Sequence, residues 1–208
     1  MRTARYQNGF TLIELLLALV ITGIITSAVA TLAYAMNSAG VATDDTSRKQ
    51  AQVRFATLRI SDLIRQCKLV CYASANEMAV WTADGNADGK INIGELAYVE
   101  AGSTRNRLRL YTFAPTSSAA INLGSIGALA TNWWSAYSSQ MSYKSLVPTC
   151  SNVQFGFVPG LPPQSRFVTI SFDVIENDST CRYQVNATLR GWAGNLLDAS
   201  NNIVSDDD

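Results

Sequence analysis

The stretch FTLIELLLALVITGIITSAVATLAYAM, from Phe10 to Met36, constrains this chain more than any other. It holds about 27 residues, and its only charge is Glu14. A helix needs about 20 apolar residues to cross a hydrocarbon core, so the run is long enough to span one. A carboxylate is costly there unless it is paired, so Glu14 predicts a partner within any membrane-embedded assembly. Arg2 and Arg5 precede the run, and the next charges after Glu14 are Asp44 and Asp45. Basic residues stay on the cytoplasmic side, which places the body of the chain outside. A cleaved secretory signal ending at Ala28-Val29-Ala30 is the competing reading. An acidic residue early in the apolar region and the length of the run both argue against it.

Charge and length bound the remainder. Sixteen basic residues balance sixteen acidic ones in a chain of 208, so no global field draws the protein to nucleic acid, and no nucleic-acid partner is expected. The chain has room for one globular domain beyond the anchor.

The residues Gly9-Phe10-Thr11-Leu12-Ile13-Glu14, after a short basic leader and at the head of the apolar run, resemble the processing site of type IV pilins and type II secretion pseudopilins. The resemblance implies that a prepilin peptidase cuts between Gly9 and Phe10 and N-methylates the new terminus. The apolar helix then remains attached. It further implies that Glu14 pairs with the N-terminal amine of a neighbouring subunit's Phe10, so that the charge sets the register of assembly. Implied partners are other pilin or pseudopilin subunits, the peptidase and an inner-membrane assembly platform. Many members of the family carry a proline about a dozen residues past the glutamate. This chain has none there, and Gly23 among β-branched neighbours is the candidate weak point, since glycine costs a helix about 1 kcal/mol.

Beyond the apolar run, Ala56, Ile60, Leu63, Ile64, Cys67 and Cys71 recur at helical spacing, which predicts an amphipathic helix continuing from the span. Gly40, Asp44 and Asp45 are the expected place for a bend or break. The segment RFATLRISDLIRQ is also similar to J-type minor pseudopilins. Six stretches, EMAVWTA, ELAYVEA, NRLRLYTF, NVQFGFV, RFVTISFDVI and CRYQVNATLRGW, alternate apolar with polar residues and predict antiparallel strands. Between Thr116 and Val147 no strand alternation is visible. Trp133, Tyr137 and Met141 suggest a short helix in an insertion there, and Trp133-Trp134 either packs or forms a platform for a partner. The fold class expected is α+β, pilin-like, a long N-terminal helix on an antiparallel sheet. Its divisions are a leader at 1–9, a membrane helix at 10–36, an amphipathic helix at 37–71, a β-rich domain at 72–193 and a mobile acidic tail at 194–208.

Two groups of residues carry possible chemistry. Cys67, Cys71, Cys150 and Cys181 all follow the span, on the oxidising side, and disulfides are expected. Three pairings are open. The preferred one joins Cys67 to Cys71 and Cys150 to Cys181, although a bridge between positions four apart strains a helix. A four-cysteine zinc site is the alternative, without the usual knuckle spacing. The second group is DGNADGKINIGE. Asp84, Asn86, Asp88, Gly89 and Glu95 match the calcium-loop pattern, with the Lys90 carbonyl and Asn92 completing the ligand positions, so calcium is the expected cofactor. The flanks read as strands, which makes this a calcium loop in a hairpin. An ion-free turn is the alternative, since Asp-Gly and Asn favour turns unaided.

The chain has no histidine, which removes the commonest general base, and no reaction-specific constellation appears. The function expected is that of a structural subunit, a minor pseudopilin of a type II secretion pseudopilus, anchored in a bacterial inner membrane with its globular domain in the periplasm. A type IV minor pilin for adhesion, motility or DNA uptake is the alternative in the same family. An uncut single-pass binding or enzyme module is the alternative outside it.

Overall fold

The computed structural model of the chain describes residues 11–176, 179–190, 196–198 and 203–204. The chain divides into two compact units, Met1–Ser47 and Arg48–Asp208. Helix α1, Leu12–Gln66, contributes to both. It is unbroken at Gly40, Asp44 and Asp45, contrary to the sequence expectation. One glycine costs a helix only about 1 kcal/mol, and the Ser38 and Thr43 hydroxyls bond back to the Ala35 and Ala39 carbonyls at 3.0 and 2.9 Å within the helix.

In the first unit every residue from Thr11 to Val41 is exposed, including Leu15, Leu16, Leu19, Ile24 and Leu32. The hydroxyls on this apolar surface do not point away from it. Thr22 donates to the Ala18 carbonyl, Thr26 to Thr22 (2.7 Å), Ser27 to Ile24 (2.9 Å) and Thr31 to Ser27 (2.8 Å). Each of these hydroxyls is therefore satisfied within its own helix, which is what hydrocarbon demands of it.

In the second unit the end of α1 places Val53, Ala56, Ile60, Ile64 and Cys67 on one buried stripe. That stripe packs against two antiparallel sheets. The first is a meander of β1 (Leu69–Ala73), β2 (Glu77–Trp81), β3 (Leu96–Glu100), β4 (Leu108–Phe113) and β5 (Met141–Val147). The second consists of β6 (Ser151–Val158), β7 (Phe167–Glu176) and β8 (Ser179–Thr188), in that order. Val70, Met78, Val80, Ala97 and Val99 of the first sheet join Val168, Ile170, Phe172 and Val185 of the second and the helix stripe in one core. The alternate residues Leu69, Ala79, Trp81, Leu96 and Tyr98 face a second core, closed by Ile91, Ile93, Ile126 and Leu196. Both faces of the first sheet are thus covered. That is why β2 is buried at every position instead of alternating. The α+β class and the antiparallel strands are as the sequence predicts.

Four boundaries differ from the sequence reading. The helix stops at Gln66, and Cys71 lies in a strand, because the continuous apolar run LVC serves both sheet faces and so mimics a helix. Strand β5 occupies residues placed in the insertion. It pairs with β4 from Phe113↔Met141 to Leu108↔Val147 and is a polar edge strand, with Lys144 on it, a composition that discourages further pairing. The short helix expected around Trp133 is instead three separate 3₁₀ turns at Leu123–Ser125, Leu129–Thr131 and Ser135–Gln140. In the tail, Leu196 is buried and Leu197 bridges Ile203, so apolar side chains fix part of a segment expected to be mobile.

Glu77 ties the insertion to the sheet, with both carboxylate oxygens accepting the Leu129 N–H at 3.2 and 3.1 Å. Burial raises its pKa above the ordinary carboxylate value, the Leu129 N–H pulls it back, and Glu100, its cross-strand partner, raises it further. A raised folded-state pKa means the fold is favoured while Glu77 is protonated and loses that contribution as pH rises through the raised value.

Candidate functional site

The helix start and the acidic loop are the two places where charge and geometry combine. Gly9 and Phe10 lie outside the described residues. From Thr11 onward the helix start is closed by a reciprocal contact. The Thr11 N–H and hydroxyl donate to Glu14 Oε2 at 3.0 and 2.9 Å, and the Glu14 N–H donates to Thr11 Oγ1 at 3.3 Å. This is a capping box. Its sequence signature, Thr11-x-x-Glu14 before an apolar run, was available and gives Glu14 a local role that the assembly reading alone misses. Both donors land on one oxygen. Among the described residues Oε1 accepts none, so the carboxylate keeps a side for a second partner.

The acidic loop joins β2 to β3. Asp84 accepts from the Asp88 and Gly89 N–H groups at 3.2 and 2.8 Å, and Asp88 from the Lys90 N–H at 2.9 Å. These bonds wind the chain into successive turns, with Ala87 and Gly89 at positive φ (55° and 68°), a region glycine enters without steric cost. Asn86 Nδ2 donates to Asp88 at 2.9 Å. Asn92 is buried, and its Nδ2 lies 3.3 Å from Asn86 Oδ1 and 3.2 and 3.1 Å from the two Asp88 oxygens. That contact with Asn92 is the leading cause holding the Asp88 carboxyl below its ordinary pKa. The Asn92 Oδ1 is buried with no partner. Glu95 closes the loop from the other side. Oε1 accepts the Gly85 N–H at 2.8 Å, and Oε2 accepts Trp81 Nε1 at 3.0 Å and the Asn92 N–H at 3.2 Å. Gly94 is required between them, since a Cβ there would stand 2.6 Å from the Ala114 carbonyl oxygen. Among the described residues no three Asp, Glu, Cys or His side chains converge as a ready metal cluster. The loop brings Asp84, Asn86, Asp88 and Asn92 together and leaves Glu95 turned onto Trp81.

The four cysteines are not brought together, and the expected disulfides are absent: all four are free thiols. Cys67 belongs to the helix-side core and Cys71 to the core on the opposite face of the first sheet. Cys150 precedes β6 and Cys181 lies on β8, with β7 between. Two strand spacings, about 9–10 Å, exceed the reach of a disulfide, about 7 Å between Cα atoms. Burial pushes the Cys67 thiol up to about 12 and the Cys150 thiol up to about 11, and raises Cys71 further. These thiols act as small apolar side chains. Trp133 and Trp134 serve the second core: Trp133 stacks obliquely on Tyr98 and Phe113, and Trp134 Nε1 donates to the Leu129 carbonyl at 3.0 Å.

Among the described residues, α1 is the one helix long and apolar enough to cross a membrane. The prokaryotic N-terminal methylation motif matches residues 4–30, the segment that contains Gly9, Phe10 and Glu14. No curated protein and no solved structure matches the chain. The chain thus carries, at the head of an exposed apolar helix, the N-terminal methylation motif of the type IV pilin and pseudopilin family, which implies processing by prepilin peptidase and assembly with pilin subunits.

Proposed function

We propose that the chain is a minor pseudopilin of a type II secretion pseudopilus. It waits in the inner membrane through residues 10–36 and enters the fibre when Glu14 pairs with the methylated Phe10 amine of a neighbour. What carries the reading is the methylation motif opening directly onto a helix whose apolar surface is exposed on every side from Thr11 to Val41. An isolated helix of this kind buries nothing by itself. Lipid before assembly and sister helices afterwards give it the environment it lacks. The choice of a secretion system over a pilus rests on RFATLRISDLIRQ and its likeness to J-type pseudopilins. The role is structural: the β domain is presented outside the membrane and its thiols, lacking any histidine partner, are left to packing.

Deleting the gene and complementing it in the native bacterium tests the assignment. Export of the type II secreted proteins is expected to fall and to return with the wild-type chain. Intact export together with loss of surface pili, twitching or DNA uptake moves the protein to the type IV minor pilins.

A further inference from the structure

We propose that the loop from Asp84 to Glu95 is a calcium site, in which the buried Asn92 amide turns to present its oxygen and Glu95 leaves Trp81 to close the shell. The proposal does not rest on the subunit assignment, since either can fail alone.

Asn92 carries the argument. It is 2% exposed, its amide reaches into the loop, and its Oδ1 is buried without a partner. Asn92 is the N-cap of the 3₁₀ turn Ile93–Glu95, yet its side-chain oxygen makes no capping hydrogen bond, so the cap alone leaves this buried carbonyl unsatisfied. On the other side of the same amide, Nδ2 stands 3.1–3.3 Å from three oxygens, one of Asn86 and two of Asp88. Those oxygens converge on one point, and the electropositive amide nitrogen occupies it. A half-turn of the amide puts Oδ1 in the nitrogen's place, 3.1–3.3 Å from the same three oxygens, which is the spacing of neighbouring ligands around one calcium ion. An ion held among them would satisfy the orphaned oxygen and the converging ones at once. Asparagine oxygen and nitrogen are interchangeable in shape, so the half-turn meets no steric obstacle.

The remaining ligands follow from spacing. Asp84, Asn86, Asp88, the Lys90 carbonyl, Asn92 and Glu95 occupy the first, third, fifth, seventh, ninth and twelfth positions of a calcium loop. Besides the turn of the Asn92 amide, Glu95 must move, away from Trp81 Nε1 and the Gly85 and Asn92 N–H groups. Six or more oxygens on an irregular loop suit calcium and not magnesium, which demands a small octahedron and retains its water. Binding also has a structural consequence. The N–H groups of Ile93 and Gly94 bond to the carbonyls of Ala119 and Ser117 at 3.0 Å each, so an ion that fixes Asn92 and Glu95 also fixes the start of the insertion to the sheet.

Terbium luminescence on the full chain in detergent tests this, because Trp81 beside Glu95 is placed to sensitise an ion in the loop. Tryptophan excitation is expected to give saturable terbium emission. Calcium should displace it at about 10⁻⁴ to 10⁻³ M, with magnesium needing at least about tenfold more. Asp88→Asn and Asn92→Ala should each weaken calcium about tenfold or more, while Asn92→Asp, which supplies an oxygen in either orientation, should bind at least as well as the wild type. Absence of sensitised emission, emission that calcium does not displace, or unchanged affinity in both weakening variants overturns the proposal. If those variants fail to fold by circular dichroism, calorimetric titration of the wild type with calcium decides alone: a saturable heat supports the site, and no heat removes it.

Discussion

A Glu14→Gln chain is expected to insert and to be processed like the wild type, yet to enter fibres about tenfold less often or worse. The capping contact of Glu14 and its proposed assembly contact separate cleanly. Its contact with Thr11 is a capping box, and glutamine makes the same contact, so the helix start is preserved. What glutamine cannot do is hold the charged N-terminal amine of a neighbouring subunit in a medium of low dielectric. Thr11→Ala is the complementary change: it removes the hydroxyl from the box and leaves the charge, so assembly should survive it. Crosslinking between sister subunits, measured for both variants alongside processing, reads the difference. Crosslinking in Glu14→Gln equal to the wild type, with a loss only in Glu14→Ala, would reduce Glu14 to a helix cap.

The second large effect is expected in the globular unit. Ile60 is 1% exposed and sits at the centre of the stripe that joins α1 to both sheets, so Ile60→Ala leaves a cavity between three elements that cannot all close on it. Such truncations cost about 2–5 kcal/mol. For a unit of this size that is a fall in melting temperature of about 5–15 °C. Leu58, two residues earlier on the same helix, is 66% exposed, and Leu58→Ala should shift the melt by less than about 2 °C. Thermal unfolding of the full chain in detergent compares them. Equal shifts would mean that the helix does not pack on the sheets as described.

Much of this was legible from the residues. The apolar run follows from its length. The stripe from Ala56 to Cys67 and strands such as β4 and β8 follow from periodicity, because they bury one face more than the other, and β2 and β3, buried on both faces, from their apolar and aromatic content. The rest was hidden for physical reasons. Strand β1 is buried on both faces, so LVC shows no alternation, and Cys71 falls four residues after Cys67 as if the helix continued. Strand β5 is exposed along most of its length and therefore lacks the apolar signal. Leu196 and Ile203 gain meaning only from the second core, which the insertion and the tail build together. Cysteine spacing could not reveal that a whole strand separates Cys150 from Cys181. At the acidic loop the ligand positions were readable in order, but the orphaned Asn92 oxygen and the turn of Glu95 onto Trp81 are three-dimensional facts.

The central claim is that residues 4–30 are a processing and assembly signal and that the helix they open is retained. The mass of the N-terminal peptide from the membrane-associated protein tests it most directly. The account predicts a chain beginning at Phe10 with one methyl group on its amine. A chain that still begins at Met1, or one that begins after Ala30, would contradict it.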